Sequence, residues 1–139
     1  MALNTGVMTA APNNSDQVVA IYKCLCDLKR LRILNLLRGG PQCVCHLEGV
    51  LGIGAVRTSQ QLAYLRRHGM VEVEICGTWR MYSLPANPGP ELVANLACLQ
   101  DCIFDGKVFR EDLRRLKNIL KSHCGPPAPS GRSPAPRNP

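Results

Sequence analysis

The chain has 139 residues, which is enough for one domain of ordinary size but not comfortably for two. Its formal net charge of +7 suits a polyanionic partner such as nucleic acid, although the same charge can serve solubility alone. No apolar run reaches the roughly 18 residues of a membrane span, and the N-terminus lacks the features of a secretory signal, so we expect a cytoplasmic protein.

Four helices are predicted in the first half of the chain. Residues 1–16 show no periodicity, and we expect a flexible N-terminus there. Apolar residues then recur at helical spacing in four segments: from residue 16 onward, Leu28–Leu37, 42–51 and 55–68. Asp27 is placed to cap the second helix. A short connector with glycines at 52 and 54 separates the third and fourth helices, which is typical of a helix-turn-helix.

A β-hairpin and two more helices are predicted in the second half. Alternating and then helical patterns occur in four segments: strands over 71–76 and 79–84, and helices over 91–104 and 108–121. We expect the apolar stripes of these last two helices to form a dimer interface. Residues 125–139 contain six prolines and no apolar pattern, which predicts a disordered tail.

This order of elements predicts a winged helix-turn-helix fold, mainly α with a two-stranded β wing. We expect one DNA-binding and dimerisation domain over 17–124, between the flexible N-terminus and the tail. The chain shows no base beside a nucleophile, no phosphate-binding loop and no metal site with an open position, so we expect no enzymatic activity.

Three stretches stand out between Tyr22 and Leu84. They are Leu25-Cys-Asp-Leu-Lys-Arg-Leu-Arg-Ile-Leu34, Cys43-Val-Cys-His-Leu47, and the segment 56–71 with the hairpin that follows it. Together they resemble the ArsR/SmtB family of winged-helix metalloregulators, and the second stretch resembles the cysteine box of its arsenic-responsive branch. That branch often has a third cysteine where Glu48 stands here, and an Asp where His46 stands, so a third ligand must come from elsewhere.

The resemblance implies a transcriptional repressor that binds operator DNA as a homodimer and leaves it when an ion binds cysteine thiolates. The implied inducer is trivalent arsenic or antimony, such as arsenite, methylarsenite or antimonite, with no organic cofactor and no membrane partner. A second segment, 95–102, resembles a feature of a smaller subgroup of the family.

The predicted recognition helix carries the candidate DNA contacts. In the major groove Arg can bind guanine and Gln can bind adenine through paired hydrogen bonds. The candidates at base edges are Arg57, Ser59, Gln60 and Gln61. The candidates at phosphates are Arg66 and Arg67 on this helix and Arg80 on the wing. A solvated polar surface is the alternative interpretation.

Two pairs among the eight cysteines are candidate ion ligands. Cys43 and Cys45 lie at a helix N-terminus, where free N–H groups and the helix dipole favour thiolates. They point to different sides of a regular helix, so they can share an ion only where the backbone departs from one. Cys98 and Cys102, spaced i and i+4, lie on one helical face with Cβ atoms about 6 Å apart. For both pairs, simple packing is the alternative.

Two rival functions fit the same fold. In one, a cysteine pair oxidises and the protein is a thiol redox sensor. In the other, the thiolates bind Cd(II) or Zn(II), which soft ligands also select.

Overall fold

The computed structural model describes residues 14–101 and 106–122. Within these ranges the chain forms six α-helices and three short strands. In chain order they are α1 (Asn14–Leu25), α2 (Leu28–Leu37), β1 (Gln42–Cys43), α3 (Val44–Leu51), α4 (Ala55–Arg67), β2 (Glu72–Cys76), β3 (Trp79–Ser83), α5 (Pro90–Asp101) and α6 (Lys107–Ser122). Among these helices none is long and apolar enough to cross a bilayer.

Helix α2 begins at the predicted cap. Asp27 has extended backbone, and its carboxylate accepts hydrogen bonds from the backbone N–H groups of Lys29 at 2.8 Å and Arg30 at 3.2 Å. These are N–H groups of the first turn, which have no partner within the helix. The helix before it, α1, begins at Asn14 and so starts two residues earlier than its predicted start at residue 16.

Helix α2 is also the centre of the core. It packs against five other helices: α1, α3, α4, α5 and α6. Most of the fully buried side chains around it are aliphatic: Ile33, Leu34, Leu36, Leu47, Val50, Leu62 and Leu65. Helix α4, which is the predicted recognition helix and is called the reading helix below, is therefore anchored on the same buried element as α3, α5 and α6.

The wing is present, but it belongs to a sheet of three strands rather than two. Strand β3 lies in the middle, with β2 antiparallel on one side and β1 antiparallel on the other. In the second pairing Cys43 lies opposite Met81. The third helix therefore begins at Val44, which corrects the predicted start at residue 42. A strand of two residues is too short to show a period, so only its pairing with β3 reveals it.

The outer strand of the wing is more exposed than predicted. Val73 is half-buried, but Ile75, on the same alternating pattern, is 61% exposed. Because β2 is an edge strand, the inner face of its alternating pattern meets the core only near its start, and the side chains nearer the hairpin tip stay in solvent. Val71, just before the strand, is buried and joins the wing to the body.

The last helix packs on its own chain, which corrects the prediction that its apolar stripe has only a dimer partner. Phe109 and Leu116 of α6 are buried in the core, and the helix packs on α2 and α3. Leu113 and Leu120, also predicted on this stripe, remain exposed. Periodicity reveals an apolar stripe but does not tell whether the surface that covers it belongs to the same chain.

An ion pair fixes α6 to α2. The buried carboxylate of Asp112 accepts two hydrogen bonds from Arg32, from Nε and from Nη2, each at 2.8 Å. This bidentate pairing raises the pKa of Arg32 above its ordinary value. The contact joins positions 80 residues apart in the chain.

Candidate functional site

Helices α3 and α4 form the helix-turn-helix that the sequence predicts. The connector turns at Gly52, with φ of 66°, and at Gly54, with φ of 92°, two left-handed conformations that favour glycine. The buried hydroxyl of Thr58 donates to the Gly54 carbonyl at 2.8 Å and secures the first turn of α4. Helix α4 is held against α2 and α3 by Leu62 and Leu65, which leaves its opposite side in solvent.

The outward side of α4 carries most of the predicted DNA contacts. The exposed candidates on this helix are Arg57, Ser59, Gln60, Arg66 and Arg67. Ala55, Val56 and Ala63 complete an open surface around Ser59 and Gln60. Small and polar side chains of this kind allow a helix to approach base edges closely, with Arg57 and Gln60 able to make paired hydrogen bonds.

Gln61 does not belong to this outward surface. Its side chain is half-buried, and its Oε1 accepts a hydrogen bond at 2.9 Å from Nη1 of Arg30. Its assignment as a base-reading residue stays a prediction, although its Oε1 is already bonded to Arg30. The spacing of polar residues on α4 places Gln61 at the edge of the polar face, but sequence reasoning gave no sign of a partner on α2.

The wing carries a single predicted DNA contact. Arg80 on β3 is exposed, in agreement with its assignment to phosphate. Glu72 and Glu74 on β2 are also exposed, so this strand repels a polyanion rather than attracting it.

Cys43 and Cys45 come together because the backbone between them is not regular helix. Cys43 is the N-cap of α3 and has the extended conformation of β1, with φ of −77° and ψ of 153°, whereas Cys45 lies in the first turn of the helix. Their Cα atoms are 5.4 Å apart, and their Sγ atoms are in direct contact, as in a disulfide. The departure from helix that the sequence required for a shared ion is therefore present.

His46 completes a group of three donors. The ligand atoms of Cys43, Cys45 and His46 all lie within 4.8 Å of one another, and no other such trio occurs in residues 14–101 and 106–122. Sequence reasoning looked elsewhere for the third ligand, because Glu48 stands where the arsenic-responsive branch often has its third cysteine. The signal was the histidine directly after the second cysteine.

The remaining cysteines are dispersed. Cys24 is fully buried, and burial raises the pKa of its thiol although Arg30 nearby favours the thiolate. Cys26 and Cys76 are exposed, and Cys98 on α5 is half-buried. The predicted partner of Cys98, Cys102, lies outside the described residues, as do Cys124, residues 1–13 of the predicted flexible segment 1–16, and the whole predicted tail 125–139.

The cysteine box is coupled to both α4 and α6 through α3. Helix α3 packs on α4 through the core, and Arg115 of α6 donates to the Val50 carbonyl at 3.3 Å. Gly49 allows α6 to come close, because a Cβ at this position would lie only 2.9 Å from Cδ1 of Ile119. Helix α3 is therefore held between α4 and α6, and a change of shape at its start is passed to these two helices.

Comparisons with known proteins agree on one family. The family model described as bacterial regulatory protein, arsR family, matches residues 27–73. The chain is 30% identical over 84 residues to the HTH-type transcriptional regulator YgaV of Escherichia coli (strain K12), covering 60% of this chain and 85% of that protein.

Solved structures of similar regulators superimpose on the same region. Reduced HlyU from Vibrio cholerae N16961 is 29% identical with a TM-score of 0.58, covering 65% of this chain and 92% of its own. The transcriptional repressor BigR from Xylella fastidiosa is 29% identical with a TM-score of 0.55, covering 63% and 84%. The homodimeric winged helix-turn-helix domain of Mb0332 from Mycobacterium bovis, a possible ArsR-family regulator, is 27% identical with a TM-score of 0.55, covering 69% and 94%.

Proposed function

Because this chain belongs to the ArsR family of DNA-binding transcriptional regulators, we propose that it is a homodimeric repressor released from operator DNA when trivalent arsenic or antimony binds Cys43 and Cys45. Its relatives are regulators and not enzymes, in agreement with the sequence. Operator DNA in the cytoplasm is its partner, and the ion is its inducer.

The observation that carries the proposal is the meeting of two sulfur atoms at the start of α3. In the reduced protein these are two thiols on one short segment, which is the donor set that thiophilic ions select. Methylarsenite carries two hydroxyl groups on arsenic. Each thiol replaces one of them, so that two As–S bonds form, two As–O bonds break and two water molecules leave without any change in oxidation state.

The third donor distinguishes among the inducers. Arsenite and antimonite have three positions to fill and favour three sulfurs, whereas His46 offers a nitrogen beside the two sulfurs. Methylarsenite needs only the cysteine pair. A donor set of two sulfurs and one nitrogen also suits Zn(II) or Cd(II), so these ions belong in the same comparison.

Release follows from the position of the site. An ion that binds both thiolates reshapes the N-cap of α3, and α3 packs directly on α4. In the unliganded dimer, base contacts come from Arg57, Ser59 and Gln60, and phosphate contacts from Arg66, Arg67 and Arg80. Cys98 on α5 and Cys102, which lies outside the described residues, are a second candidate pair of ligands.

The dimer is proposed to form through α1 and α5, together with the part of the α6 stripe that stays exposed, Leu113 and Leu120. Tyr22 on α1 is 66% exposed, and Val19 on α1 and Val93 on α5 are also exposed. Apolar side chains on terminal helices are what a subunit interface buries. Leu96, which is half-buried within one chain, lies on α5 with Val93. Mb0332, a homodimer, shares this architecture.

The contact between the two sulfurs also favours a second function, thiol redox sensing. Peroxide would take two electrons from the two thiols, forming one S–S bond and two water molecules. The likeness to HlyU, solved in its reduced form, supports testing this alternative.

Titration of the complex between the wild-type protein and operator DNA with candidate inducers separates the two functions. In one series, arsenite, methylarsenite, antimonite, cadmium and zinc are added under reducing conditions; in the other, peroxide is added in metal-free buffer and then reversed with dithiothreitol. We expect release by methylarsenite at stoichiometric concentration. Release by peroxide alone, with reversal by the reductant, would replace ion sensing with redox sensing.

A further inference from the structure

Arg30 joins the end of α1 to the start of α2. Its side chain is 12% exposed. Nε donates to the Cys24 carbonyl at 2.6 Å, and Nη2 donates to the Lys23 carbonyl at 3.1 Å. Both carbonyls belong to the last turn of α1, where C=O groups have no partner within the helix and the helix dipole is negative. The guanidinium therefore holds the C-terminal end of α1 in place.

The same guanidinium also reaches the reading helix. Nη1 donates to Oε1 of Gln61 at 2.9 Å, and Cζ lies 4.1 Å from the centre of the Tyr64 ring, one turn further along α4. A planar group with five donors can bond to carbonyls at one edge, bond to an amide at another and stack on a ring with its face. A lysine ammonium at the same position lacks this plane and cannot make all of these contacts together.

The contacted side of α4 is next to its outward side. Gln61 and Tyr64 face Arg30, whereas Arg57 and Gln60 face solvent. Rotation of α4 about its own axis would break the contacts with Arg30 and turn the outward residues away from the groove at the same time.

We propose that Arg30 is a positioning residue for DNA reading. It acts through Gln61 and Tyr64, fixes the rotation of α4 relative to α1, and contacts no base itself. The proposal rests on the proposed function in that α4 is taken as the helix that enters the groove. Because α1 also carries part of the proposed dimer surface, Arg30 ties the orientation of each reading helix to the subunit interface.

Three variants of the full chain test this role. Arg30→Lys keeps the charge and removes the planar group. Gln61→Glu keeps an oxygen that accepts from Arg30 but removes the amide that would read adenine. Arg38→Lys is the matched control, because Arg38 lies at the other end of α2 and its guanidinium bonds to Asn35 Oδ1, within the same segment, at 2.7 Å.

The measurement is the ratio of affinities for two duplexes, one that the wild-type protein enriches from a randomised pool and one with the same base pairs scrambled. Arg30→Lys should lower affinity for the enriched duplex about tenfold and change affinity for the scrambled one by less than about twofold. Gln61→Glu should weaken binding to both duplexes by the same factor, because its negative charge repels DNA, and should therefore keep the ratio. Arg38→Lys should match the wild type.

Each other outcome overturns a named part of the account. If Arg30→Lys keeps the wild-type ratio, even with a lower melting temperature, its role is structural only and the inference is wrong. If Gln61→Glu loses the ratio while Arg30→Lys keeps it, Gln61 reads a base through its amide. A wild-type protein that enriches no sequence at all would instead overturn the proposed function.

Discussion

Asp112→Asn is the substitution whose effect on stability follows most directly from the contacts. The side chain of Asp112 is 1% exposed and that of Arg32 is 13% exposed, and two hydrogen bonds of 2.8 Å join them. Asparagine has the same shape but no charge, and its NH2 group would point a donor at the donors of the guanidinium. Arg32 would then be a largely buried charge without its counter-charge.

The expected cost is about 3 kcal/mol. Breaking a buried pair by removing one partner typically costs roughly 3–5 kcal/mol, and the partial exposure of Arg32 places this pair at the lower end, because water can reach part of the guanidinium. For a domain of about 100 residues, such a loss lowers the melting temperature by roughly 10–20 °C. Helix α6 should loosen first, since this pair fixes it to α2.

Urea unfolding followed by circular dichroism at 222 nm, at fixed protein concentration, measures the change. The control is Glu111→Gln, one residue earlier on α6, where the ion pair with Arg114 is in solvent and little effect is expected. The double variant Arg32→Met with Asp112→Leu should recover most of the stability, because it leaves no buried charge. A change of less than about 1 kcal/mol in Asp112→Asn, or an equal change in Glu111→Gln, would refute the reasoning.

Two further predictions concern single side chains. Arg57→Ala should cost about 1–3 kcal/mol of operator binding, seen by fluorescence anisotropy, and relax preference at one base pair; an equal loss on random DNA would show a phosphate contact instead. Iodoacetamide should label Cys26 and Cys76 in the native protein and Cys24 only after unfolding, because Cys24 is buried and burial raises the pKa of its thiol. Mass spectrometry locates the label. Labelling of Cys24 in the native protein would contradict the packing of α1 on α2.

Local signals in the sequence predicted the elements well. Strong helical periodicity and the cap at Asp27 predicted the second helix with both of its ends. The glycines at 52 and 54 predicted the turn before the reading helix, where both residues have positive φ. These features depend on residues close together in the chain, and one sequence contains all that is needed to recognise them.

Features that depend on distant residues were missed. Strand β1 is defined by its pairing with β3, about forty residues later. Gln61 is bonded to Arg30, which is 31 positions away in the chain. Helix α6 is fixed to α2 by the pair of Arg32 and Asp112, which are 80 positions apart. The local spacing of Cys43 and Cys45 raised the question of a shared ion. The unpredicted strand supplies the answer, because its extended backbone is what brings the two sulfur atoms together.

The central claim is that ion capture by Cys43 and Cys45 controls the affinity for DNA. The most direct measurement is operator binding, with and without methylarsenite under reducing conditions, for the wild type and for serine variants of Cys43, Cys45 and Cys98, with Cys76→Ser as an exposed control. Serine keeps the size of cysteine but does not ionise near neutral pH, so only ion capture is removed. Cys43→Ser and Cys45→Ser should bind operator like the wild type and should not be released, whereas Cys76→Ser should be released normally. Normal release of the Cys43 and Cys45 variants, with release lost only in Cys98→Ser, would contradict this claim and place the sensor on α5.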